Sequence, residues 1–195
     1  MTTVNLQIAA TADDCGSYNS TNFGNSDIYI GTINGTDVCR IALRFLTVAI
    51  PQGATITSAV LQLRLRAGNA AQNTLTTIYG NDVDDAVSPT TRAGLYALDL
   101  TTASLNQTWV YGGAAAWHSS SSFSAVIQEI VDRASWSENN ALQLIVASNS
   151  SLYYCRVTDY TSLSTNSAKL DIEYTAGGGA SAVPTIMNSY RQRRA

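Results

Sequence analysis

The chain has 195 residues, a formal net charge of −3 and 13% charged residues, about half the roughly 25% usual for a globular protein. Thr, Ser and Asn number 22, 21 and 14 and Lys169 is the single lysine, so uncharged polar groups do most of the solvating. Residues 1–190 hold 8 basic against 14 acidic side chains, a balance that does not suit a phosphate backbone, and no run reaches the roughly 18 apolar residues that cross a bilayer.

From the first residues on, period-2 alternation predicts strands with one buried face. Strands are predicted at residues 3–10 and 27–31, with Asp13 and Asp14 between them as a weak metal candidate. In CRIALRF (39–45), Cys39, Ile41, Leu43 and Phe45 point one way and Arg40 and Arg44 the other. Pro51 and Gly53 set a turn. In AVLQLRLRA (59–67), Leu61, Leu63 and Leu65 face inward, opposed by Gln62, Arg64 and Arg66. A strand at 74–80 leads into GNDVDDAVSP, where Asp82, Asp84 and Asp85 with Asn81 gather hard oxygens of the kind Ca²⁺ takes. The spacing is not that of an EF-hand, and a solvated acidic turn with Asx capping is the plainer reading.

Trp109, Tyr111 and Trp117 cluster around WVYGGAAAWH. Exposed aromatics beside amides and carboxylates are what a sugar ring stacks on, which makes Tyr111 and Trp117 candidate glycan contacts. His118, the single histidine, has no carboxylate or cysteine nearby in sequence to orient it and reads as a solvent-facing loop residue without a catalytic role. SAVIQEIVDRASW predicts a helix over 124–136 with Val126, Ile127, Ile130, Val131 and Ala134 on one stripe and Ser124 as N-cap, covering an open end or edge of a sandwich. Strands come next at 141–148, in LYYCRV and in KLDIEY, where Leu170, Ile172 and Tyr174 face inward. Many short strands joined by turn-rich links predict an all-β fold, an antiparallel jelly-roll β-sandwich with one short helix. Three cysteines without CxxC spacing make no zinc site. Cys39 and Cys155, on apolar faces, read as buried free thiols, and a Cys39–Cys155 or Cys15–Cys39 disulfide is the alternative.

The chain thus divides into a sandwich domain (1–175), a Gly-rich linker (176–182) and a tail (183–195). In the tail Val183, Ile186, Met187 and Tyr190 precede Arg191, Arg193 and Arg194. A solvated end has no need of four large apolar side chains, so the tail is predicted to dock in an acidic groove of a neighbouring copy or of another subunit. The opening residues lack a basic stretch followed by an apolar one, which predicts synthesis in a cytoplasm without a signal peptide.

RIALRFLTVAIPQGATITSAVLQLRLRAG resembles the N-terminal half of the DNRLRE-type, carbohydrate-binding-module-like β-sandwich, in which an Arg-bearing strand runs into IPxGATITSAxLxL. SAVIQEIVDRASWSENNALQLIVAS and AKLDIEY come after it in the order seen in that family, so the resemblance covers roughly residues 4–175. It implies a non-catalytic jelly roll of the kind found in phage virion and bacterial surface proteins, with Trp109 facing the core and Trp136 capping the helix. The acidic and aromatic residues usual near that family's first strand are replaced here by TADDCGSYNS.

The sequence therefore predicts a non-enzymatic structural or interaction protein. Its expected form is a phage virion surface component, a capsid decoration or fibre-associated protein, homo-oligomeric and docked on neighbouring protein subunits through the tail. The alternative is a carbohydrate-binding module for a cell-surface polysaccharide, in an extracellular setting. No cofactor is expected beyond Ca²⁺ at Asp82, Asp84 and Asp85, and neither nucleic acid nor membrane is an expected partner. GxSxG, P-loop and HExxH spacings are missing from the chain, so a hydrolase has no residue to rest on.

Overall fold

Successive side chains of a strand face opposite sides. The alternations resolve into twelve strands and three short α-helices among the residues described by the computed structural model, 1–19, 21–149 and 152–177. In chain order they are β1 (Thr2–Gln7), β2 (Asp14–Ser17), β3 (Tyr29–Ile33), β4 (Asp37–Val38), β5 (Arg40–Phe45), β6 (Thr55–Gly68), β7 (Asn73–Gly80), α1 (Arg92–Tyr96), β8 (Leu105–Val110), β9 (Ala116–Ser119), α2 (Ser124–Val131), β10 (Leu142–Ser148), β11 (Tyr154–Val157), α3 (Tyr160–Leu163) and β12 (Lys169–Thr175).

One sheet has the order β2-β5-β10-β7-β8; the other runs β1-β12-β6-β11-β3-β4, with β9 also paired to β6. All strand pairings are antiparallel. The 14-residue β6 organises the larger sheet. Gln62 is paired to both Lys169 and Ser119, and Leu65 to both Val157 and Ala116. A strand has two edges, so β9 lies along one edge of β6 while β12 and β11 succeed each other along the other. The orders β1-β12-β6-β9 and β5-β10-β7-β8 are then the interleaved four-and-four arrangement of a jelly roll, and the expected antiparallel sandwich is the fold this chain adopts.

Leu61, Leu63 and Leu65 of β6 meet Ile41, Leu43 and Phe45 of β5, Ile78 of β7, and Leu144 and Val146 of β10 in one fully buried cluster. Burying each such side chain contributes about 2 kcal/mol. Ala42, on the opposite face of β5, is buried as well, in a second small cluster with Cys15 and Leu95. α1 therefore covers part of the outer face of the five-stranded sheet, which the alternation in CRIALRF did not foretell. Cys15, Cys39 and Cys155 are buried free thiols in separate surroundings. Cys155 Sγ lies 3.2 Å from Thr74 Oγ1, and Cys39 Sγ donates to the Asp37 carbonyl at 3.6 Å.

The predicted helix over 124–136 is shorter than expected and lacks the predicted cap. α2 ends at Val131, and its N-cap is Phe123, which makes no side-chain capping bond. Neighbouring contacts dictate both ends. Ser120 and Ser122 accept from the Leu61 and Ala59 N–H groups, and the Phe123 N–H donates to Ala59 O, so the chain enters the helix directly from the edge of β6. At the other end the Trp136 indole is buried and donates to Ile50 O at 2.9 Å, which draws the chain off the helical path. α2 spans the two sheets: a Cβ on Gly80 of β7 would press against Ile130 and Val126. α1 and α3 were not predicted; Thr91 and Asp159 cap them by accepting from the Gly94 and Ser162 N–H groups. The first strand, expected over 3–10, stops at Gln7, and the strand expected in LYYCRV begins at Tyr154.

Candidate functional site

The outward half of the β6 alternation is Gln62, Arg64 and Arg66, and register decides what stands beside it. Trp117 of β9 is opposite Arg64, Ser119 is opposite Gln62, and Lys169 of β12 is opposite Gln62 from the other side. Trp117 is 36% exposed. Lys169 reaches across β6 and holds its Nζ 4.6 Å from the centroid of the Trp117 ring, a cation–π contact worth about 0.5–1 kcal/mol at an exposed site. From Lys169 the face continues as an open trough of about 370 Å³ lined also by Asn5, Leu6, Gln7, Gln62 and Asp171. Gln62 Nε2 donates to Asp171 Oδ2 there.

The charges on this face differ from those elsewhere. Arg44 pairs with Asp13, Arg66 with Asp27 and Asp159, Arg133 with Asp82 and Asp84, and Arg156 with Asp27. Arg40 and Arg92 lie against the Tyr96 ring, at 5.0 and 4.3 Å from its centroid, and donate to backbone carbonyls. Among the described residues, Arg64 and Lys169 are the two basic side chains with neither an ion pair nor a carbonyl partner, and both flank Trp117. The sequence shows Arg64 and Gln62 as outward positions of a strand. It does not show that β12 lies at their side in the register that delivers Lys169.

The acidic loop is built for an arginine. Arg133 donates from Nη1 to Asp82 Oδ1 and from Nε to Asp84 Oδ1 at 2.7 Å, while Asp85 Oδ1 accepts the Ala141 N–H at 2.7 Å. The Asn81 amide donates to Gln143 Oε1 at 3.1 Å. Asp82, Asp84 and Asp85 thus each spend an oxygen on a guanidinium or a backbone amide, while the buried Asn81 Oδ1 has no partner among the described residues. Among the described residues no group of three or more His, Cys, Asp or Glu side chains is placed to hold a metal ion. A chelator should leave the melting temperature unchanged, whereas Arg133→Ala should cost about 1 kcal/mol. A melt lowered by chelation would restore the metal.

Asp13 and Asp14 do not form an exposed turn. They are 3% and 0% exposed. Asp13 Oδ1 binds Arg44 Nη1 at 3.1 Å, and Asp14 Oδ2 accepts the Tyr160 N–H at 2.6 Å. Asp13 Oδ2 and Asp14 Oδ1 are buried with no hydrogen-bond partner among the described residues. Burial, reinforced by the nearby charges of Asp159 and Asp13, pushes the Asp14 carboxyl up to about 7 against the opposing pull of the Tyr160 N–H.

The remaining sequence candidates separate. Trp109 is core-facing, as the resemblance implies, and its Nε1 donates to Thr76 Oγ1 at 2.9 Å. Trp136 sits beyond the end of α2 instead of capping it. Tyr111 packs partly buried against the core and donates to Arg66 O at 3.3 Å, so it does not share the face of Trp117. His118 belongs to strand β9, not to a loop. Opposite Leu63 in register, it is half-buried, and its Nε2 has no partner among the described residues. Val183, Ile186, Met187, Tyr190, Arg191, Arg193 and Arg194 lie outside the described residues, as does the linker from residue 178 on. No family model and no curated protein matches this chain.

Proposed function

We propose that the chain is a non-enzymatic interaction module of a surface assembly, in its most specific form a phage virion component that decorates a capsid or accompanies a fibre. The observation that carries this reading is the division of labour among its reactive side chains. Asp13, Asp27, Asp82, Asp84 and Asp159 hold arginines of the scaffold, and burial pushes the Cys15 and Cys39 thiols up to about 12, far from a nucleophilic thiolate. Trp117, Arg64 and Lys169 are left facing outward on a sheet face. A sandwich so arranged acts through what it touches. The low-charge Thr/Ser/Asn composition and the motif order that resembles the DNRLRE-type domains support the same reading.

Docking is assigned to the tail. Deleting residues 183–195 should leave the thermal transition of the sandwich nearly unchanged while abolishing incorporation into particles, measured by co-sedimentation with purified capsids lacking the protein. Normal incorporation of the truncated chain would refute the docking role.

A second reading, carbohydrate recognition, is favoured by the Trp117 face: an exposed ring beside the amides of Gln62 and Asn5 and the carboxylate of Asp171 is the chemistry that stacks and hydrogen-bonds a sugar. Loss of glycan-array binding in Trp117→Ala would support it. A chain that joins capsids while ignoring every glycan leaves the structural role alone.

A further inference from the structure

We infer that the Trp117 face binds an anionic saccharide, a chain of uronate or similarly acidic sugars, an assignment that rests on the carbohydrate-recognition reading. The residues come from four adjacent strands, β1 supplying Asn5 beside Asp171. β9 contributes Trp117, β6 contributes Arg64 and Gln62, and β12 contributes Lys169 and Asp171. Every other basic side chain among the described residues is neutralised by a carboxylate, or set against a ring with its N–H groups on carbonyls. Leaving two cations unpaired beside the one exposed tryptophan of the described residues is therefore a local departure from how this chain treats positive charge.

Paired cations stabilise a scaffold, whereas unpaired cations wait for an anion. The ring fixes where that anion sits. Lys169 Nζ is held over Trp117 at 4.6 Å, and Arg64 is the cross-strand partner of Trp117, a position whose Cβ lies about 5 Å away. A pyranose stacked beside the indole would present an equatorial carboxylate to both cations, making charge-assisted hydrogen bonds of the kind that outweigh neutral ones. Its hydroxyls would meet the exposed Asn5 amide and the Gln62–Asp171 pair along the trough.

Charge also sets selectivity. Residues 1–190 carry 14 acidic against 8 basic side chains, so the rest of the body repels a polyanion and leaves this face as its landing place. An acidic peptide shares the charge but not the remainder of the site. Beyond the ring the trough is lined by the amides of Asn5, Gln7 and Gln62, the Asp171 carboxylate, Lys169 and one partly buried leucine, Leu6, so it offers more partners to hydroxyls than apolar contacts to a peptide.

The test is a titration of the full chain with oligogalacturonate, its methyl-esterified form and poly-glutamate, read by calorimetry at low and high salt. Oligogalacturonate should bind, weaken as salt rises and lose about tenfold in affinity in each of Arg64→Gln and Lys169→Gln. Trp117→Ala should remove binding; Trp117→Phe, which keeps an aromatic face, should retain part of it, with equal melting temperatures showing that both variants fold. If the methyl ester binds as tightly as the acid, the charge inference fails while carbohydrate recognition stands. If neither saccharide binds, the uronate assignment fails, and the glycan array decides whether carbohydrate recognition fails with it. If poly-glutamate binds as well as the uronate, the face recognises acidic chains and not sugars, which overturns the assignment.

Discussion

Asp14→Asn should stabilise the protein at pH 8 and leave it nearly unaffected at pH 4. Asp14 is fully buried, with one oxygen on the Tyr160 N–H and the other without a partner, and its carboxyl is pushed up to about 7 from an ordinary value of 3.8. A raised folded-state value means that the native protein holds this proton more tightly than the unfolded chain does. The associated stability is fully present below the unfolded value and is lost as pH rises through about 7. At about 1.4 kcal/mol per unit, the loss is on the order of 4 kcal/mol between pH 4 and pH 8. Asparagine keeps the acceptor for Tyr160 and never ionises, so the variant should lack that loss. Urea unfolding of both proteins across this range reads the difference directly. A gap between wild type and variant that stays constant with pH would show that Asp14 is not the titrating group.

The second large effect is expected at Arg66. Its Nη2 donates to Asp159 Oδ2 at 3.1 Å, Asp27 Oδ1 at 3.2 Å and Ser162 Oγ at 2.9 Å. Asp159 is completely buried, caps α3 through the Ser162 N–H and accepts the Asp27 N–H. Arg66→Met strips that carboxylate of its counter-charge and should cost about 3 kcal/mol, the usual consequence of leaving a buried charge alone. Arg66→Lys, which keeps the positive charge and also donates from a single nitrogen, should recover part of the loss. Arg66→Met with Asp159→Asn should be more stable than the sum of the two single losses. Strict additivity in that cycle would mean that the pair is not coupled.

Much of the sandwich is legible in the sequence because β5, β6 and β12 alternate cleanly and α2 carries a continuous apolar stripe. The missed elements lack such a pattern. All four residues of β2 are buried, so no polar side alternates with an apolar one. β9 is a four-residue strand in an Ala- and Ser-rich stretch, recognisable only through its partner β6. The same cause lies behind the acidic loop, where nothing local shows that Arg133, some fifty residues later, comes to lie across Asp82 and Asp84. Asp13 and Asp14 read as no more than a weak pair of metal oxygens, because only the pairing of β2 with β5 and the closure of α3 bury them. Trp117 is visible in the sequence as an aromatic. Its two cations are not, since they are its neighbours only through strand register.

The seam between β1 and β12 has a mechanical consequence. Its register begins with Thr2 beside Tyr174 and ends with Gln7 beside Lys169, so the two strand ends leave the sandwich together. Tension applied between residues 2 and 175 would open this ladder as a zipper, with each pair carrying the full load in turn. The same ladder pulled lengthwise would share the load among all its pairs. A copy anchored only through residues beyond Thr175 loads β12 at one end, and the ladders to β1 and β6 on its two sides share that load.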